Sequence, residues 1–114
     1  MRKYVVITTQ FPAIHNWPDC DIKEVGFLSH SHRHIFHITM KFEVSHNNRE
    51  IEFLYMKKKL DDWIDDNYRY KHLGSKSCED IATELLKKFA AYFVSVFEDE
   101  ENGAEVYEDN KCTD

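Results

Sequence analysis

Glycine and proline are scarce in this chain, three and two residues in 114, which excludes collagen-like, low-complexity and linker-dominated polymers. The three cysteines, Cys20, Cys78 and Cys112, are odd in number and include no Cys-x-x-Cys pair. Neither a disulfide framework nor a thiolate zinc knuckle is expected, and a reducing compartment fits best. No basic block exceeds Lys57-Lys58-Lys59, and the formal net charge is −6. Such a field repels a phosphate backbone, so nucleic acid is not an expected partner. No apolar run approaches the roughly 20 residues that span a bilayer. Met1-Arg2-Lys3 leads into a strand-like segment rather than an apolar signal core, so a cytoplasmic protein without membrane attachment is expected.

What is present is a globular composition, 42% hydrophobic and 14% aromatic, in a length that suits one domain with one core. Lys3 to Phe11 is rich in Tyr, Val, Ile and Thr and predicts a strand, with Pro12 and the stretch Asn16 to Asp21 opening a loop. From His34 to Val44, Phe36, Ile38, Met40, Phe42 and Val44 share one parity, the period of a half-buried strand. Ser45 to Asn48 predicts a turn into a short strand at Arg49 to Phe53, forming a hairpin. Met56, Leu60, Trp63 and Ile64 follow helical spacing from about Leu54 to Asp66. Ser77 and Asp80 predict a capping box, with Ile81, Leu85, Phe89 and Phe93 as the buried stripe of a helix reaching about Tyr92. Phe93 to Glu98 and Ala104 to Tyr107 predict strands around an acidic turn, and the segment from Glu108 a disordered tail. The order is α+β, an antiparallel sheet covered by helices on one face.

Seven histidines include the most informative residues of the chain. His32 and His34 share a strand face, so two imidazoles can be directed to one side, and His15 stands at a strand-to-loop passage. Together they can supply a three-imidazole metal site with one position open, the arrangement of catalytic zinc. His30 with His32 has the same spacing, so either pair could be the one used.

Five short segments, in order, resemble the 6-pyruvoyl-tetrahydropterin synthase and 6-carboxytetrahydropterin synthase family. Phe11-Pro12-Ala13-Ile14-His15-Asn16-Trp17-Pro18 is similar to the family's Phe-x-Ala-Ala-His-x-x-Pro segment, and His32-Arg33-His34-Ile35-Phe36 to its His-Gly-His-Asn-Tyr. Ile51-Glu52-Phe53 resembles an apolar-Asp-Phe element, Ser77 to Ala82 the Thr-x-Glu-x-Leu-Ala helix start, and Val94 to Glu98 with Ala104 to Tyr107 the closing hairpin. The resemblance implies the tunnelling fold over residues 1–107, a four-stranded antiparallel sheet with two helices on one face, and a tail at 108–114. It implies Zn2+ on His15, His32 and His34, and Glu98 as the carboxylate that anchors a pterin ring. It also implies a homo-oligomer, trimers stacking into hexamers, with active sites between subunits.

Three positions depart from the family's pattern. Leu28 stands where the family has its thiol, and Cys20 could replace it only if the loop refolded. The helper Asp-His pair is Asp65-Asp66 here, assigned to proton transfer by the resemblance. Arg33 replaces the glycine between the zinc histidines. The leading expectation is a zinc-dependent lyase or synthase acting on 7,8-dihydroneopterin triphosphate or a related dihydropterin, in queuosine or tetrahydropterin synthesis. The alternative is a protein on the same fold that binds or sequesters a pterin or purine nucleotide without turning it over.

Overall fold

The computed structural model describes residues 1–109. Its elements are β1 (Lys3–His15), a 3-10 segment (Lys23–Ser29, interrupted at Val25), β2 (His32–Val44), α1 (Phe53–Asn67), α2 (Cys78–Phe89), β3 (Phe93–Glu98) and β4 (Asn102–Tyr107). The strands form one antiparallel sheet in the order β1-β2-β3-β4, with both helices inserted between β2 and β3.

Alternation decides which face is covered. Ile7, Phe11 and Ala13 of β1, Phe36, Ile38, Met40 and Phe42 of β2, and Val94 and Val96 of β3 join Leu60 and Ile64 of α1 and Ile81, Ala82, Leu85 and Leu86 of α2 in one buried cluster. The four-stranded antiparallel sheet with two helices on one face is therefore as expected. Each large side chain fully buried there contributes about 1.5–3 kcal/mol of transfer free energy. No helix among the described residues is long and apolar enough to cross a membrane.

The helices start where their caps lie. The Glu52 carboxylate accepts from the Tyr55 N–H at 3.0 Å. Ser77 and Asp80 form the reciprocal capping box, at 3.1 and 3.0 Å, satisfying two otherwise orphaned N–H groups.

Four boundaries differ from the sequence reading. The strand expected at Arg49 to Phe53 does not form. Glu50 instead accepts from the Ser45 N–H and hydroxyl at 2.7 and 2.9 Å, closing a loop, and Glu52 is committed to capping α1. β1 runs past Pro12 to His15 because it is the sheet edge, where a proline's missing N–H breaks no ladder bond; beyond it, Tyr70 to Gly74 lies alongside, with Tyr70 N–H donating to Pro12 O at 2.8 Å and Leu73 N–H to Ile14 O at 2.7 Å. α2 stops at Phe89, with Ala90 left-handed at φ 53°, because Tyr92 N–H is already bonded to Lys41 O of β2 at 2.9 Å. The 3-10 segment was not expected. The expected tail, 108–114, lies beyond the described residues after Asp109; Glu108 N–H donates to Tyr92 O at 2.7 Å.

Candidate metal centre and substrate cavity

At one end of the helix-covered face the apolar rows of β1 and β2 give way to imidazoles. The register sets His15 opposite His32, Ala13 opposite His34, and Phe36 opposite Glu98 of β3. Directly opposed side chains stand about 4.5–5.5 Å apart at Cβ, so pairing alone gathers three histidines and a carboxylate on one patch. The ring centroids are 4.6 Å apart for His15–His32, 4.9 Å for His32–His34 and 5.4 Å for His15–His34, all edge to face. One ring nitrogen from each lies within 4.8 Å of the others.

The surroundings fix the tautomers. His15 Nδ1 lies 2.8 Å from the Lys76 carbonyl, His32 Nδ1 2.8 Å from the His30 carbonyl, and His34 Nδ1 2.6 Å from Asp99 Oδ2. Carbonyl and carboxylate oxygens can only accept, so each Nδ1 carries hydrogen and each neutral ring offers its lone pair at Nε2. A metal-ligating histidine has this pattern of support. His15 Nε2 is moreover buried without a hydrogen-bond partner, a cost a native interior seldom bears without a ligand. The donor set therefore fits a divalent metal such as zinc.

Glu98 enters the same patch. Its Oε2 lies 3.1 Å from His15 Nε2 and its Oε1 3.4 Å from His34 Nε2. The first contact is close enough for an ion pair but is not a hydrogen bond, so Nε2 stays without a hydrogen-bond partner. Contact with Glu98 raises the His15 pKa, against the opposing effect of burial. The same contact lowers the Glu98 pKa, with burial opposing and His34 adding to it. Asp99 is lowered by the Ile35 N–H it accepts and then by His34.

Beside the patch opens a cavity of about 430 Å3, lined in part by His15, His32, Glu98, Trp17, Leu28 and Asn102, within the range of small-molecule sites. The first turn of α2, Ser77 to Glu79, forms another wall. Cys78 stands there 8% exposed, and burial, then the Glu98 charge, push its thiol up to about 12.

The structure thus brings His15, His32, His34 and Glu98 together. His30 is exposed outside the group and contributes only its carbonyl to His32. Asp65 and Asp66 are not brought to it within one chain. Both are exposed near the end of α1, Asp65 paired with Arg69 at 2.6 Å, and neither lines the cavity. Cys20 does not line it either; its thiol donates within the loop to Val25 O at 3.5 Å. Leu28, where the resemblance would put a thiol, does line it. The sequence reading missed Asp99, the Lys76 carbonyl and the Cys78 wall. Only Asp99 carried a signal, as the first acid after Glu98 in a turn.

At the level of sequence, no family model matches the chain, and no curated protein matches it either. Solved structures do. An uncharacterised protein from Wolinella succinogenes superposes with a TM-score of 0.82 at 11% identity, over 96% of this chain and 99% of that one. The 6-pyruvoyl tetrahydropterin synthase of Caenorhabditis elegans superposes with a TM-score of 0.76 at 15% identity, over 96% and 97%. The chain has the fold of that synthase.

Proposed function

We propose that this protein is a zinc-dependent enzyme acting on a dihydropterin, with 7,8-dihydroneopterin triphosphate as the leading substrate. The observation that carries the reading is the set of three imidazoles, each supported at Nδ1, two of which, His15 and His32, line a cavity of about 430 Å3. The fold of a tetrahydropterin synthase supports the same substrate class.

When bound, zinc would supply Lewis-acid polarisation of the substrate's side-chain oxygens. His15, His32 and His34 would hold it, oriented by Lys76, His30 and Asp99. Glu98 would take the ring, since a carboxylate can accept two parallel bonds from the adjacent N–H groups of a 2-amino-4-oxo pterin edge. Leu28, Trp17 and the first turn of α2 would limit water around the ring. Asp65 and Asp66 would serve proton transfer only from a neighbouring copy, in a trimer or hexamer working in the cytoplasm.

One observation favours the second reading, a protein that binds or sequesters a pterin or purine nucleotide. Leu28 stands in the cavity wall where a thiol would be needed, and Cys78 is no substitute while its thiol stays protonated at neutral pH. Mass spectrometry of products after incubating zinc-loaded protein with 7,8-dihydroneopterin triphosphate separates the two. Loss of triphosphate or side chain, abolished in His32→Ala, supports the enzyme. Unchanged but bound substrate, with turnover gained only in Leu28→Cys, supports sequestration.

A further inference from the structure

Both Glu98 oxygens face imidazole nitrogens that, in the neutral rings, have no hydrogen to offer them. His15 and His34 spend their ring hydrogens at Nδ1, on Lys76 O and Asp99 Oδ2. Their neutral rings therefore turn Nε2 lone pairs toward the carboxylate, at 3.1 and 3.4 Å. Lone pair against lone pair at that distance repels unless a proton or a metal ion stands between them, and His15 Nε2 lacks the hydrogen-bond partner that a shared proton would give it. Each separation is also close to the edge length of a tetrahedral zinc site, about 3.3 Å between ligand atoms for bonds of about 2.0–2.1 Å.

We propose that Glu98 is a fourth protein ligand to the metal, so that without substrate the centre is closed as His3Glu rather than open. The inference rests on the zinc reading above but assigns its carboxylate a second task. Each oxygen that would pair with the pterin edge is one that faces an imidazole, so ring binding and metal ligation compete for Glu98. Substrate entry draws the carboxylate away and opens the coordination position. Metal-only chemistry on adventitious small molecules is thereby suppressed until the cavity is filled.

The test is metal affinity and cobalt spectroscopy, with no turnover required. Zinc affinity is measured by competition with a chelator in wild type, Glu98→Gln and Glu98→Ala, each checked for wild-type circular dichroism. Loss of the carboxylate is expected to weaken zinc at least 10-fold in both variants and to change the visible spectrum of the Co2+-substituted protein. Saturating neopterin, its binding followed by fluorescence, is expected to move the wild-type Co2+ spectrum toward that of Glu98→Gln. Equal affinities and identical spectra in all three proteins would overturn Glu98 as a ligand while leaving the zinc reading intact. Bound neopterin with an unchanged spectrum would overturn the exchange. Absence of zinc binding in wild type itself would overturn the zinc reading, and this inference with it.

Discussion

His34 donates its Nδ1–H to Asp99 at 2.6 Å, and Asp99 reaches it from a turn in which both central residues, Asp99 and Glu100, have positive φ, 53° and 65°. Glu101 N–H closes that turn onto Glu98 O at 2.9 Å. Non-glycine residues held there cost about 1–2 kcal/mol each. Three bonds offset the strain, from Asp99 to the Ile35 N–H, the Ile35 carbonyl and His34. The hairpin is bent to carry a carboxylate to the back of a ligand histidine.

Replacing that carboxylate should therefore act on the metal. Asp99→Asn keeps the shape but loses the charge and forces an amide to serve as acceptor. Zinc affinity, measured by chelator competition, should fall about 10–100-fold, with little change in the circular dichroism spectrum. Unchanged affinity would show that His34 needs no such support.

The strain at Glu100 lies outside the metal patch and can be relieved separately. Glu100→Gly removes the left-handed penalty and gives up an exposed contact with His37 at 3.7 Å, which is worth little. Stability should rise by about 1 kcal/mol, read as a Tm about 4–8 °C higher. A lower Tm would mean that the turn is not under strain.

Gly103 is required by close approach rather than by backbone angle. A Cβ there would meet the Val96 carbonyl oxygen at 2.0 Å and Phe97 Cα at 2.6 Å, both backbone atoms that cannot step aside. Gly103→Ala should cost about 2–3 kcal/mol and loosen the β3–β4 hairpin that holds Glu98, seen as a lower denaturant midpoint and faster amide exchange in β4. An unchanged midpoint would contradict that packing.

Tyr68 is buried against the core with its hydroxyl on the Glu84 carboxylate, which also takes Lys76 at 2.7 Å. Burial, then Glu84, raise the phenol's pKa above its ordinary 10.0. A group whose folded pKa is raised contributes stability that is complete below its unfolded pKa and lost as pH climbs past it. Wild type should therefore lose stability above about pH 10, more steeply than Tyr68→Phe. At neutral pH the variant should be about 1 kcal/mol less stable, because Glu84 keeps Lys76. Parallel alkaline limbs in urea titrations would contradict this account.

Much of this was legible in the chain. The alternation of Phe36, Ile38, Met40 and Phe42 gave β2 and its buried face, and Ser77 with Asp80 gave the start of α2, because both signals are local. Tertiary context overrode the rest. Pro12 reads as a stop, yet an edge strand tolerates it, and Ala90 ends α2 because the sheet recruits Tyr92. His15, His32 and His34 could be picked out by spacing, whereas the grouping of His34 over His30 with them depends on the β1–β2 register. The Nδ1 partners Lys76 and Asp99 come from 61 and 65 residues away, distances at which no pattern in the chain speaks.

The central claim is that His15, His32 and His34 form a metal centre. Metal content by inductively coupled plasma mass spectrometry, on protein produced with zinc supplied, tests it most directly against a His15→Ala, His32→Ala, His34→Ala triple variant that retains its fold. The account predicts about one zinc per chain in the wild type, as for any single three-imidazole site, and almost none in the variant. Zinc-free wild type, or equal zinc in both, would contradict it.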